Sequence, residues 1–323
     1  PLRNELPDDI KQEITQVLEN SVRRNLSDAI LLSGGLDTSI LACLAVKWNK
    51  PYAITVAFKG SEAVDMEYAR IVAENLDLEH DYCIFDDDKL EDALRETIKV
   101  LKTFDPMEIR NSVSTYIGLE HAYQKGFKTV MTGDGGDELF AGYSFFFDQD
   151  KKTLEKSLRK MWKTMSFSSV PLARHLSIEA RLPLLDPAFI SLAVDIDTHY
   201  KIRREHGKVW GKWGLRKAFS GLLPDEIIWR EKAPLEAGTG TAMLPEYYSK
   251  LIPDDDFSTK QKQLLNKDGV HIRSKEHLHY YEIYRMVCGV PGQGGGEGKK
   301  CPGCNSVVDD EANFCRTCGA YPI

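Results

Sequence analysis

Residues 29–39 read AILLSGGLDTS. The apolar run Ala29–Leu32 suits a strand buried on both faces of a parallel sheet. Ser33, Gly34 and Gly35 then turn the chain, and Thr38–Val46 continues with helical patterning. A strand that passes through glycines into a helix can cradle an anion. The glycines let the backbone come close, and the amides of the first helical turn point at the ligand. Ser33, Thr38 and Ser39 add hydroxyl donors. Asp37 would repel a bare phosphate, but it fits if it holds a Mg²⁺ that bridges phosphates. The spacing is neither G-x-x-x-x-G-K-[ST] nor G-x-G-x-x-G. A plain serine-capped turn would give the same residues.

The flanking pattern extends this strand–helix unit. Residues 7–25 form an amphipathic helix, with Ile10, Ile14, Val17 and Leu18 on one face. Strand-like segments follow at Tyr52–Phe58, His80–Phe85 and Lys128–Met131. Helical segments lie at Glu62–Asn75, Lys89–Leu101 and Ser112–Gln124. Alternation of this kind predicts an α/β fold, a doubly wound parallel sheet with right-handed crossovers. Beyond Tyr143 the strand signals fade, and residues 149–288 read as a helical second part broken by prolines. The expected organisation is an α/β domain carrying the glycine loop over 1–148, a helical part over 149–288, a glycine-rich flexible linker over 289–298 and a cysteine-rich tail over 299–323.

Length and composition agree. At about 150 residues per domain, 323 residues make roughly two domains. Apolar residues make up 42% and charged residues 28%, which is ordinary globular composition. No apolar run approaches the roughly 20 residues of a membrane helix, so no membrane partner is expected. A net charge of -7 argues against wholesale coating of nucleic acid. Seven cysteines and a polar N-terminal segment fit a reducing cytoplasm, where clustered cysteines bind metal more often than they pair.

Five segments together resemble one family. SGGLDTS (33–39) is similar to the PP-loop of the ATP pyrophosphatases. TGDGGDELFAGY (132–143), IEARLPLLD (178–186), the K-x-x-L-R of Lys212–Arg216 and LLPDEIIWREK (222–232) follow in the order of the asparagine synthetase family. The resemblance implies an adenine nucleotide alpha hydrolase-like fold. It also implies an ATP-dependent, AMP-forming amide ligase that adenylates a carboxylate and transfers ammonia or an amine. By the same resemblance Ser33, Gly34, Gly35, Asp37, Thr38 and Ser39 hold pyrophosphate, and Leu32, Val56 and Gly133 line the adenosine pocket. Asp37 and Asp137 share Mg²⁺, Lys212 is the catalytic lysine, and Arg230 and Lys232 contact pyrophosphate. Glu179 matches a family acid, with a structural ion pair to Arg181 as the alternative.

The chain also departs from that pattern. Asp134 stands where the family carries glutamate, which moves a carboxylate by about 1.5 Å, one C–C bond. In FDPMEIRNS (104–112) Arg110 is kept and can clamp a carboxylate, while Met107 and Glu108 replace small hydroxyl residues. Aspartate is therefore not the assured substrate; a small-molecule or carrier-borne acid fits equally. The residues ahead of Ser33 hold no catalytic cysteine, so nitrogen is expected from free ammonia, an amine or a separate glutaminase.

The tail carries Cys301, Cys304, Cys315 and Cys318 as two C-x-x-C knuckles. Four thiolates at about 2.3 Å close a tetrahedral Zn²⁺ site. The metal would then supply the folding energy of a tail too short to build a core. PP-loop enzymes that modify tRNA also resemble this chain in joining a PP-loop to zinc knuckles. This keeps open a tRNA partner and a tRNA-modifying alternative that adenylates a base oxygen and inserts nitrogen or sulfur. The basic stretches 151–163 and 201–217 would supply the face for RNA or an acidic carrier.

Overall fold

The computed structural model describes residues 5–293 and 297–323; the centre of the glycine-rich stretch, 294–296, lies outside the described residues. Compactness divides the chain into two units that are each discontinuous in sequence. One comprises Pro1–Val56, Val64–Cys83 and Gly118–Pro234, and the other Ala57–Ala63, Ile84–Ile117 and Leu235–Ile323.

In the first unit the helix α1 (Asp8–Arg24) leads into β1 (Ala29–Leu31), followed by α2 (Leu36–Ala45), β2 (Tyr52–Phe58), α3 (Asp65–Leu76) and β3 (His80–Phe85). After α4 (Asp87–Leu101) and α5 (Pro106–Gln124), the chain returns as β4 (Thr129–Met131) and β5 (Glu179–Arg181). The sheet order is β3-β2-β1-β4-β5, with β1–β2, β1–β4 and β4–β5 paired in parallel. The order reverses between β1 and β4. Asp28 fixes that junction, since its carboxylate accepts from both backbone amides of Lys128 and Thr129 and from the Thr129 hydroxyl, each at 2.9 Å. The core packs Ile14, Leu18 and Val22 of α1 with Ile40, Leu41 and Leu44 of α2 and with Phe189, Trp213 and Phe219.

The region after Tyr143 is less purely helical than its sequence predicts. Glu179–Arg181 adds a strand to the main sheet, and β6 (Ile202–Glu205) pairs with β7 (Lys208–Gly211) as an antiparallel hairpin. Its two-residue loop, His206–Gly207, has positive φ at both positions, as a tight right-twisted hairpin requires. This hairpin also removes much of the basic face expected over 201–217. Lys201, Arg203, Lys212 and Arg216 are buried, with Arg203 at the inward position of β6, while Arg204 and Lys208 stay exposed. Arg203 lies over the Trp213 ring at 4.7 Å, and Arg216 over Trp210 at the same distance. Aromatic faces and backbone carbonyls accommodate these charges in the interior.

In the second unit, α4 packs on the helix Lys275–Cys288. The cysteine tail folds as part of this unit, and its backbone bonds to the chain just ahead of α5. Phe104 N–H donates to the Thr317 carbonyl at 2.7 Å. Among the described residues no helix is long and apolar enough to cross a membrane.

Candidate active site

In an open α/β sheet, ligands bind beyond the carboxyl ends of the strands where the order reverses. Here that place lies after β1 and β4, and both loops bear the residues the sequence singles out. After β1, Gly34 has φ +65°, and a Cβ there would overlap the backbone of Tyr68 and Ala69. Only glycine fits. Gly35 N–H donates to Ser33 Oγ at 3.2 Å, and Ser39 Oγ donates to the Gly35 carbonyl at 2.7 Å. Thr38 Oγ1 lies 3.2 Å from Ser33 Oγ. The hydroxyls thus hold the turn that presents the first amides of α2. Leu32 is tied on both sides, since its N–H donates to Ile54 and its carbonyl accepts from Thr55 Oγ1 at 2.6 Å. Val56 is buried, packed close to Gly118 of α5.

After β4, glycines make room for carboxylates. A Cβ at Gly136 would strike the Asp37 carboxylate, and one at Gly142 would strike Asp137. Asp37 and Asp137 converge on one cation. Lys212 Nζ lies 2.5 Å from Asp37 Oδ2 and 2.8 Å from Asp137 Oδ1, the latter at ion-pair distance without hydrogen-bond alignment. Lys232 Nζ donates to the other Asp137 oxygen at 2.9 Å. Lys212 itself holds a left-handed backbone, φ +55°, at the start of the helix Trp213–Phe219. Its N–H donates to the Phe140 carbonyl at 2.9 Å. A non-glycine residue in that conformation stores about 1 kcal/mol or more, and such strain gathers at functional sites.

The electrostatics follow from burial. Burial drives the Asp37 carboxyl above its usual range, and Lys212 only partly offsets this. Burial acts on Asp137 too, but Lys212 and Lys232 outweigh it and hold that carboxyl low. Lys212 is desolvated, yet the two carboxylates keep its ammonium protonated, above its ordinary pKa. Asp37 Oδ1 is buried without a hydrogen-bond partner among the described residues. Two buried carboxylates with a free oxygen between them are hard donors of the kind Mg²⁺ takes together with phosphate oxygens.

Around this centre, Asp134 is buried and accepts from Thr132 Oγ1 at 2.9 Å and from Ser169 Oγ. Burial raises its pKa. Gly133 lies against Thr38. Arg230 donates to the Ser33 carbonyl at 2.9 Å and to Asp65 at 2.6 Å, with its guanidinium 4.0 Å over the Tyr68 ring. It therefore braces the first loop from behind. Asp65, Tyr68 and Ser169 carry no motif signal, and only the fold reveals them. Glu179 is mostly exposed and pairs with Arg181 at 3.0 Å. Arg110 lies in the second unit, where its guanidinium is 3.1 Å from buried Glu276.

The four cysteines of the tail are buried, with all Sγ atoms within 4.8 Å of one another. Cys301–Cys318 and Cys304–Cys315 each have sulfurs 3.7 Å apart. A tetrahedron with bonds of about 2.3 Å has an edge of about 3.8 Å, so this cage fits a thiophilic metal ion.

The family model described as asparagine synthase matches residues 13–172 and 163–287. The chain belongs to the asparagine synthase family. Asparagine synthetase B [glutamine-hydrolyzing] of Escherichia coli (strain K12) is 29% identical over 94% of this chain and 59% of its own length. The asparagine synthetase [glutamine-hydrolyzing] of Zea mays is 34% identical over 68% of this chain and 41% of its own. This chain thus spans about half the length of these synthetases. Among solved structures, the NMN synthetase from Francisella tularensis is similar at TM-score 0.40 and 18% identity, over 88% of this chain and 95% of that one.

Proposed function

We propose that this member of the asparagine synthase family is an ATP-dependent, AMP-forming carbon–nitrogen ligase. A carboxylate oxygen of the acid attacks the α-phosphorus, the bond to the β-phosphate oxygen breaks, and pyrophosphate leaves. The nitrogen lone pair then attacks the acyl carbon, AMP departs with the acyl C–O electrons, and nitrogen loses a proton. The observation that carries this reading is the buried Asp37–Lys212–Asp137 cluster at the point where the strand order reverses.

Each residue has a part. Ser33, Gly34, Gly35, Thr38, Ser39 and the first turn of α2 cradle pyrophosphate, with Arg230 holding the loop in shape. Leu32, Val56 and Gly133 border the adenosine. Asp37 and Asp137 would hold Mg²⁺, which neutralises phosphate charge. Lys212, kept protonated by its carboxylates, balances charge on the phosphate and on the acyl oxyanion. Asp134, with its pKa raised by burial, is suited to take the proton from nitrogen. Lys232 reaches the pyrophosphate side through Asp137. The four cysteines hold structural Zn²⁺. Buried free thiols of this kind fit a reducing cytoplasm.

An acid other than aspartate fits these residues better. The resemblance puts Arg110 on the acid side, and its charge is already matched by Glu276, while Ser112 Oγ donates to Glu108 one turn back along the same helix. A monocarboxylic acid, free or carried, needs no second cationic clamp. Nitrogen comes from ammonia, an amine or a glutaminase partner. The tRNA-modifying alternative is weakened, because Lys201, Arg203, Lys212 and Arg216 are interior and leave Arg204 and Lys208 as the exposed cations of that stretch. The test is Mg-ATP with ammonium and a panel of mono- and dicarboxylic acids. AMP and pyrophosphate in equal amounts with a monocarboxylic acid, and little with aspartate, support the reading. ADP as product, or no nucleotide turnover with any acid, contradicts it.

A further inference from the structure

The cysteine tail does more than cap the chain. Its second knuckle, Cys315–Gly319, is gripped from two sides within the second unit. On one side Thr103 Oγ1 donates to the carbonyls of Arg316, at 2.7 Å, and Thr317, at 3.2 Å, while Phe104 N–H donates to Thr317. On the other, the guanidinium of Arg273 donates to the Gly319 carbonyl at 2.8 Å and to that of Cys318. The first knuckle joins in, because His271 N–H donates to the Gly303 carbonyl at 2.8 Å and Asn305 Nδ2 to the Gly269 carbonyl at 3.0 Å.

These grips fall at the roots of two helices. Asp105 Oδ1 accepts from Met107 N–H at 3.2 Å and so begins α5, the helix of Arg110. Gly319, with φ +73°, is pressed against that cap, and a Cβ there would strike the Asp105 carboxylate. Arg273 lies two residues before the helix Lys275–Cys288, which carries Glu276. Between the roots, Phe104 is fully buried and stacks on His277 with ring centroids 5.1 Å apart. Arg110, early in α5, and Glu276, in the first turn of the other helix, pair near these roots, and Tyr280 donates to the same carboxylate at 3.1 Å.

We propose that the four-cysteine ribbon is a brace that sets the Arg110–Glu276 pair, with Arg273 and Thr103 as its positioning residues. Metal at the cysteines holds the second knuckle in shape. That knuckle fixes the Thr103–Asp105 turn and the Arg273 turn relative to each other, and through them the two helix starts. Together these hydrogen bonds hold two helix termini that would otherwise fray.

The test is hydrogen exchange on the full chain, read by peptide, with metal content measured alongside. Wild type is compared with chelator-treated protein and with Arg273→Met, Arg273→Lys and Thr103→Val. Chelation and Arg273→Met should each speed exchange over 104–112 and 274–281 by roughly 10-fold or more, leaving 33–39 and 132–142 unchanged. Arg273→Lys keeps a donor and should restore most of the protection, with the metal retained. Thr103→Val should loosen 104–112 more than 274–281, which keeps the test decisive if Arg273→Met folds poorly. Unchanged exchange at 104–112 after both chelation and Arg273→Met overturns the proposal, as does equal acceleration over the whole chain in both variants. No readout depends on which acid is activated, so failure here leaves the ligase reading standing.

Discussion

Lys212 carries its charge into a nearly dry position and is balanced there by Asp37 and Asp137. Replacing it with methionine leaves two carboxylates facing each other, a loss of about 3–5 kcal/mol for a broken buried pair. Lys212→Met should therefore lose pyrophosphate release and melt earlier. Millimolar Mg²⁺ without nucleotide should raise its melting temperature more than that of wild type, by restoring a cation between the carboxylates. No Mg²⁺ response would count against the metal site. Lys201 gives a pH prediction. Burial pushes its pKa from 10.5 down to about 7, with Asp197 opposing weakly. Between those values the unfolded chain binds the extra proton, so stability rises with pH across that window. The gain from pH 7 to 9 is on the order of 2 kcal/mol, and denaturant titrations of Lys201→Met should show a flatter pH slope than wild type. The sequence revealed Asp37, Asp137 and Lys212 because each sits in a motif. It hid Lys201, whose ammonium donates to the Leu139 carbonyl at 2.9 Å, because a buried lysine reads as one more charge in a basic run.

At the scale of elements, β1 and β2 were legible as continuous apolar runs, and β3 and β4 as shorter β-prone segments, Tyr82–Phe85 and Thr129–Met131, between polar or glycine breaks. β5 was not. Glu179-Ala-Arg181 is three residues with two charges, and only its pairing with β4 makes it a strand. The hairpin β6–β7 was hidden for a related reason, since its inward cation Arg203 faces the Trp213 ring, which comes from later in the chain. The loop after β1 depends most on one position. Gly34→Ala forces a left-handed φ on a side chain and drives it into the backbone of α3. It should cost at least about 1–3 kcal/mol and weaken ATP binding, measurable by calorimetry on a variant that still folds. Undiminished ATP affinity would show that the loop does not cradle phosphate.

For the whole molecule, linear order and compactness differ. The tail that reads as an appendage behind a glycine-rich stretch is packed into the second unit by backbone bonds to Phe104 and His271. The sequence showed the ligand set but not what the ribbon touches, because hydrogen bonds to main-chain carbonyls leave no residue signature. One zinc per chain is expected by elemental analysis, and chelation should lower the melting temperature. A protein that holds no zinc when purified without chelator, yet melts unchanged, would rule out a structural metal.

On the proposed reading, the Asp37–Lys212–Asp137 cluster serves cleavage at the α-phosphorus. The most direct test is the nucleotide product formed by wild type and by Asp37→Asn when Mg-ATP, ammonium and the acid panel are supplied. Wild type should give AMP and pyrophosphate in a one-to-one ratio, and the variant should lose at least about 100-fold of that activity. ADP and phosphate from wild type, or AMP formation untouched by Asp37→Asn, would contradict that reading.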